Sequence, residues 1–143
     1  MIPVKNVDPI TTQQYVDKSG HFLQGMKLLN DKFELYRSGV GLLAIHSAIS
    51  LNDAITVGLT GKRGKYQDHA QAARELEQIC SKNRVDRRGV DHFKWLLARK
   101  NAVAYREVRF DDDSVKMAVD KAERFSAWAY NYFEEILGAK SAA

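Results

Sequence analysis

The sequence holds one cysteine, Cys80, among 143 residues. No disulfide can close within the chain, and a cysteine-based zinc site is excluded. Proline is nearly as scarce. Pro3 and Pro9 both precede the first periodic segment, so proline chemistry forbids helix nowhere from residue 11 onward. No uninterrupted apolar run approaches the roughly 20 residues needed to span a bilayer. The longest candidate, residues 40–59, is broken by His46, Ser47, Ser50, Asn52, Asp53 and Thr56. The start, MIPVKNVDPI, lacks the charged head and apolar block of a signal peptide. These absences lead us to expect a cytoplasmic protein with no membrane association. Histidines at 21, 46, 69 and 92 are scattered, with no helical pair four apart, so no metal site and no cofactor are expected. Strand alternation is nowhere sustained, and there is neither an internal repeat nor a low-complexity tract.

What the chain does have is helical periodicity. A composition 45% hydrophobic and 28% charged is that of a folded chain. Its length suits one helical domain over residues 1–143, with residues 1–10 as an extension and residues 139–143 as a frayed tail. Tyr15, Phe22, Met26, Leu29, Phe33 and Tyr36 recur on one stripe. They predict a first helix from Thr11 or Thr12 to a stop at Gly39. Residues 40–59 are apolar nearly all round, the pattern of a central buried helix. After the loop TGKRGKYQ, Asp68 can cap a short helix reaching Cys80, and a fourth helix is expected over residues 89–108. Asp111, Asp112 and Asp113 favour the dipole of a last helix that stops at Gly138. The expected architecture is therefore all-α, an antiparallel up-and-down bundle of about five helices. Trp95, Trp128 and Tyr130 read as aromatic surface beyond the needs of one small core, pointing to a homodimer interface.

The net charge of +4 is unevenly spread. Residues 1–59 carry five basic and five acidic side chains, residues 60–109 thirteen against six, and residues 110–137 three against seven. The basic middle includes Lys62, Arg63 and Lys65 in one loop, Lys82, Arg84, Arg87 and Arg88 in the next, and Arg99, Lys100, Arg106 and Arg109 beyond. Such a segment attracts a phosphate-bearing partner, or it pairs with the acidic last helix of its own chain. The loop Gly61-Lys62-Arg63-Gly64-Lys65 is no Walker loop. It lacks the glycine five residues before the Gly-Lys pair, where Leu59 stands, and the hydroxyl residue after it, where Tyr66 stands, although Lys62, Arg63 and Lys65 can still attract phosphate.

His46, Ser50 and Asp53 fall on one face of the apolar helix. Three neighbours on one straight helix supply no oxyanion donors, so they are not a hydrolytic triad. They either bond across the bundle or line a polar groove, and Asp53 needs a partner in both cases.

Two segments carry a family resemblance: Leu96-Leu97-Ala98-Arg99-Lys100-Asn101-Ala102-Val103-Ala104-Tyr105-Arg106, and Ala44-Ile45-His46-Ser47-Ala48-Ile49-Ser50-Leu51-Asn52-Asp53-Ala54. Together they resemble the HEPN family of small helical domains, many of which are metal-independent endoribonucleases that act as dimers. The family signature is an arginine, a polar residue that is often asparagine, and a histidine four to six residues after the arginine. With Asn101 in the asparagine place, Lys100 takes the arginine place and Tyr105 the histidine place; alternatively Arg99 is the arginine. Histidine is absent in both registers. Tyrosine, with a reference pKa of about 10, is a poor base at neutral pH. The resemblance thus implies an RNA- or nucleotide-binding module, with catalysis in doubt, set in a toxin–antitoxin, defence or stress system. A nucleotidyltransferase or antitoxin is the implied partner. The implied ligand site gathers Arg99, Lys100, Asn101 and Tyr105 with His46 and Asp53.

Overall fold

In a computed structural model, the residues described are 9–61, 69–105 and 110–138; of residues 9, 10, 69 and 101–105 the backbone alone is described. Six helices follow one another: α1 (Pro9–Asn30), α2 (Phe33–Thr60), α3 (His69–Asn83), α4 (Arg88–Tyr105), α5 (Asp112–Tyr132) and the single turn α6 (Glu134–Leu137). No strand occurs among the described residues.

The first helix does not reach Gly39. The chain reverses at Asp31 and Lys32, where the Lys32 amide donates to the Leu29 carbonyl at 3.1 Å and the Leu35 amide to Lys32 at 3.0 Å. α1 and α2 form an antiparallel hairpin. Its arms are tied by the Ser19 hydroxyl donating to the Ser47 carbonyl at 2.7 Å and by Phe22 resting on His46 at 5.8 Å between ring centroids. The Leu43 side chain covers Gly25, and the Leu29 side chain covers Gly39. The apolar stripe runs through the turn unbroken because both arms face each other, so its phase carries no mark of the reversal. Tyr36, counted into that stripe, has non-helical angles (φ −132°, ψ 29°) and is 45% exposed.

α2 is the axis of the molecule. Residues 51–58 are all buried, and α1, α4, α5 and α6 pack on it. By length and composition α2 is also apolar enough to cross a membrane, and 78% of its most apolar window is buried inside the bundle, which accounts for that apolarity. Gly61 ends the helix in the left-handed region (φ 79°), its amide donating to the Val57 carbonyl at 2.8 Å.

The directions of the remaining helices follow from contacts. Phe110 packs where Gly41 lacks a side chain, Arg37 pairs with Asp112 at 2.6 Å, and Ile136 packs on Gly58, so α5 runs parallel to α2. Phe93 stacks on Phe125 at 5.1 Å and Trp128 covers Gly89, so α4 runs antiparallel to both. Helices two and five would oppose each other in a strictly alternating five-helix bundle; here they do not, and α3 descends alongside α4 as the other arm of a second hairpin. The last helix also breaks before Gly138. Phe133 leaves helical angles (φ −123°, ψ 29°) while its buried ring packs on Trp128.

Trp128 corrects the aromatic-surface expectation. It is 8% exposed, touches Phe125, Tyr132 and Phe133, and donates its indole N–H to the Asp86 carbonyl at 2.7 Å. Trp95 and Tyr130 are partly buried against the core.

Candidate phosphate-binding face

The second half of α4 holds the family-like segment. Arg99 lies over the Trp95 ring, its guanidinium carbon 3.7 Å from the centroid, and donates to the Trp95 carbonyl at 3.2 Å. A guanidinium stacked in this way is restrained before any ligand arrives. Lys100 is half-buried beside it. Residues 101 and 105 are helical, but the side chains of Asn101 and Tyr105 lie outside the described residues. Helical spacing places positions 101 and 105 on the same face as Lys94 and Ala98.

That face borders α3. Between the two helices is a concavity of about 370 Å³ lined by Ala70, Ala73, Arg74, Lys94, Leu97 and Ala98. Alanines on both helices hold it open, because a methyl group cannot fill the space between neighbouring helix axes. Two cations rim this apolar floor. Lys94 reaches Glu77 at 3.1 Å, and Glu77 also pairs with Arg87. Arg74 has no hydrogen-bond or ion-pair partner among the described residues.

The basic middle was open to neutralisation by the acidic last helix. Among the described residues its ion pairs go instead to its own acids, Glu77 and Asp86. In α5, Asp112 pairs with Arg37 and Asp120 with Arg124 at 2.9 Å. Hydrogen bonds from Arg88 hold the Asp86 carboxyl below the usual carboxylate range and raise Arg88 in return. Arg88 is exposed and Asp86 partly so, and a pair at the surface adds little stability. Lys62, Arg63 and Lys65 lie outside the described residues, as do Arg106 and Arg109.

The polar strip of α2 is largely internal. Ser50 is 5% exposed, Asp53 4% and Asn52 2%, and the Asn52 Oδ1 has no hydrogen-bond partner among the described residues. Both His46 and Asp53 are engaged by other groups. Asp53 sits toward the end of the bundle where Gly58 meets Ile136. The last turns of α4 sit toward the opposite end, where Gly41 meets Phe110. Arg99 and Lys100 adjoin positions 101 and 105 along one helix; His46 rests on Phe22 of α1, and Asp53 is buried on α2.

His92 faces α5. Burial, with Lys121 and Arg124 adding to it, holds its imidazole below the ordinary histidine range, and its Nδ1 is buried without a hydrogen bond among the described residues. Sequence reasoning passed over Arg74 and Lys94. The signal was present as alanines spaced along α3 beside Arg74, but only the pairing of α3 with α4 turns them into a groove. The chain matches no family model, no curated protein and no solved structure.

Proposed function

We propose that this chain is a HEPN-like helical module that binds RNA or nucleotide phosphates on the α3–α4 face, as a homodimer, without turnover of its own. The observation that carries the reading is Arg74, a cation with no partner among the described residues at the rim of an apolar groove whose other rim is Lys94. A base or ribose fits the floor of Ala73, Leu97 and Ala98, while phosphate oxygens take the guanidinium. Arg99, restrained on Trp95, and Lys100 extend the positive face toward positions 101 and 105. Tyr105 stands where catalytic relatives of the resembled family carry histidine, which removes a general acid or base worth about 10²- to 10⁴-fold in rate. The resemblance implies a toxin–antitoxin, defence or stress setting with a nucleotidyltransferase or antitoxin as partner, and the sequence composition suits a cytoplasmic location.

The test is anisotropy of a short labelled single-stranded RNA over a salt series. Binding should weaken steeply with salt, and the double variant Arg74→Ala/Lys94→Ala should flatten the log–log slope by about 1.4, two single-strand phosphate contacts. No binding at low salt would leave a protein-interaction scaffold. Metal-independent cleavage of the RNA, lost in Tyr105→Phe, would make the chain an endoribonuclease instead.

A further inference from the structure

A second concavity, about 580 Å³, lies on the other side of the molecule between α1 and the α5–α6 corner. It shares no lining residue with the α3–α4 groove. Its size is within the range of small-molecule sites.

Gly20 is the first reason to regard it as built. This glycine sits in the interior of α1, where it destabilises the helix relative to alanine, and a Cβ placed there would meet nothing within 4 Å. Gly25 and Gly39 are covered by a leucine each, and Gly41, Gly58 and Gly89 by larger side chains. Gly20 alone of the α1 glycines has no packing reason, and it opens directly onto the groove.

Polar groups line that opening. Ser19 is turned to α2, donating to the Ser47 carbonyl, and two residues of helix separate it from Asp17 on the other flank. Ser126, 7% exposed, and Tyr130, half-buried, approach from α5. Burial and then the nearby Asp17 raise the Tyr130 phenol above the ordinary tyrosine value, so it stays neutral. One Asp17 oxygen takes the Gln13 amide at 2.8 Å. Among the described lining residues Asp17 is the one carboxylate; Lys27 lies ten residues along α1, about 15 Å by helical rise, and His21 makes no ion pair with Asp17. Val16, Leu23 and Leu137 supply apolar wall.

We infer that this groove is a binding site for a small organic ammonium, with the charged nitrogen at Asp17 beside the Tyr130 ring and the hydrocarbon body over Gly20 against Val16, Leu23 and Leu137. A primary ammonium has three donors and no acceptor, which matches a carboxylate that can only accept, and an aromatic ring beside a cation adds attraction.

The full chain is titrated at about pH 8 with 2-phenylethylammonium and n-hexylammonium, and with phenylacetate as the charge-reversed control, following backbone amides by NMR. Saturable shifts at Gly20, Ser126 and Tyr130 are expected for the two ammonium probes and none for phenylacetate. Asp17→Asn should weaken binding by about 10-fold or more. Gly20→Leu should abolish it while raising the melting temperature by about 3 °C, since the helix gains a better former and a Cβ there meets nothing within 4 Å. Equal binding of phenylacetate, shifts confined to other helices, no shifts at all, or unchanged affinity in Gly20→Leu would each overturn the assignment.

Discussion

Cys80 shows what a single side chain contributes here. Its thiol lies fully buried on the inner face of α3, and desolvation, with Asp86 adding, pushes its pKa up from 9.0 to about 11. The folded chain therefore holds the thiol proton after the unfolded chain has released it. The stability linked to that proton is complete below about pH 9 and is lost as pH rises toward 11, about 2 to 3 kcal/mol in all. Denaturant unfolding of the native chain and of Cys80→Ala, measured across this window, should show the native chain losing stability more steeply. The same thiol should react with a disulfide reagent only as fast as the protein opens. Gly89 is a second local dependence. A side chain there would overlap the Trp128 ring, which is fixed by its bond to the Asp86 carbonyl, so this glycine is required by the approach of an aromatic ring. The sequence put Cys80 at the end of a short helix but read Trp128 as surface, because nothing in a sequence says which helix will present a glycine to an indole.

Helix ends explain most of the difference between pattern and structure at the level of elements. Asp111, expected only to favour the helix dipole, also caps α5, its carboxylate accepting from the Ser114 amide at 2.8 Å. α3 ends on a motif that the sequence conceals. The Val85 amide donates to the Cys80 carbonyl at 2.9 Å, and Arg84 adopts the left-handed conformation (φ 55°) that glycine usually fills at this place. Val85, 9% exposed, closes the motif against the core. Arg84→Gly should stabilise the protein by about 1 kcal/mol, read from the denaturation midpoint at unchanged slope, because only the backbone strain of a side chain is removed. A loss of stability would mean that the Arg84 side chain holds the turn. The α1–α2 reversal and the break at Phe133 escaped periodicity for another reason. Neither has a proline or glycine at the break, and in each the apolar phase continues because the next segment buries the same face.

The whole molecule is built unevenly. α2 is covered on several sides, whereas α3 packs chiefly on α4. Opening of α3 exposes little apolar surface compared with opening of α2, so the amides of residues 72–80 should exchange with deuterium well before those of residues 51–58. Equal protection of the two stretches would contradict a peripheral α3. The groove proposed for phosphate lies between this weakly held helix and α4, so a ligand there would slow exchange in α3 first.

Composition and period by themselves determined that the chain is all-α, that residues 40–59 form its buried centre and that a basic block separates a neutral first part from an acidic last one. Those properties depend on local spacing and on counts, which tertiary contacts do not alter. Tertiary structure decided where helices turn without punctuation, that α5 runs parallel to α2, that Trp128 belongs to the core, and that Arg74 faces Lys94 across alanines. It also set Asp53 toward one end of the bundle and the last turns of α4 toward the other. Each of these is a relation between residues far apart in the chain, and helical periodicity records which face of a helix is buried but not which helix it meets.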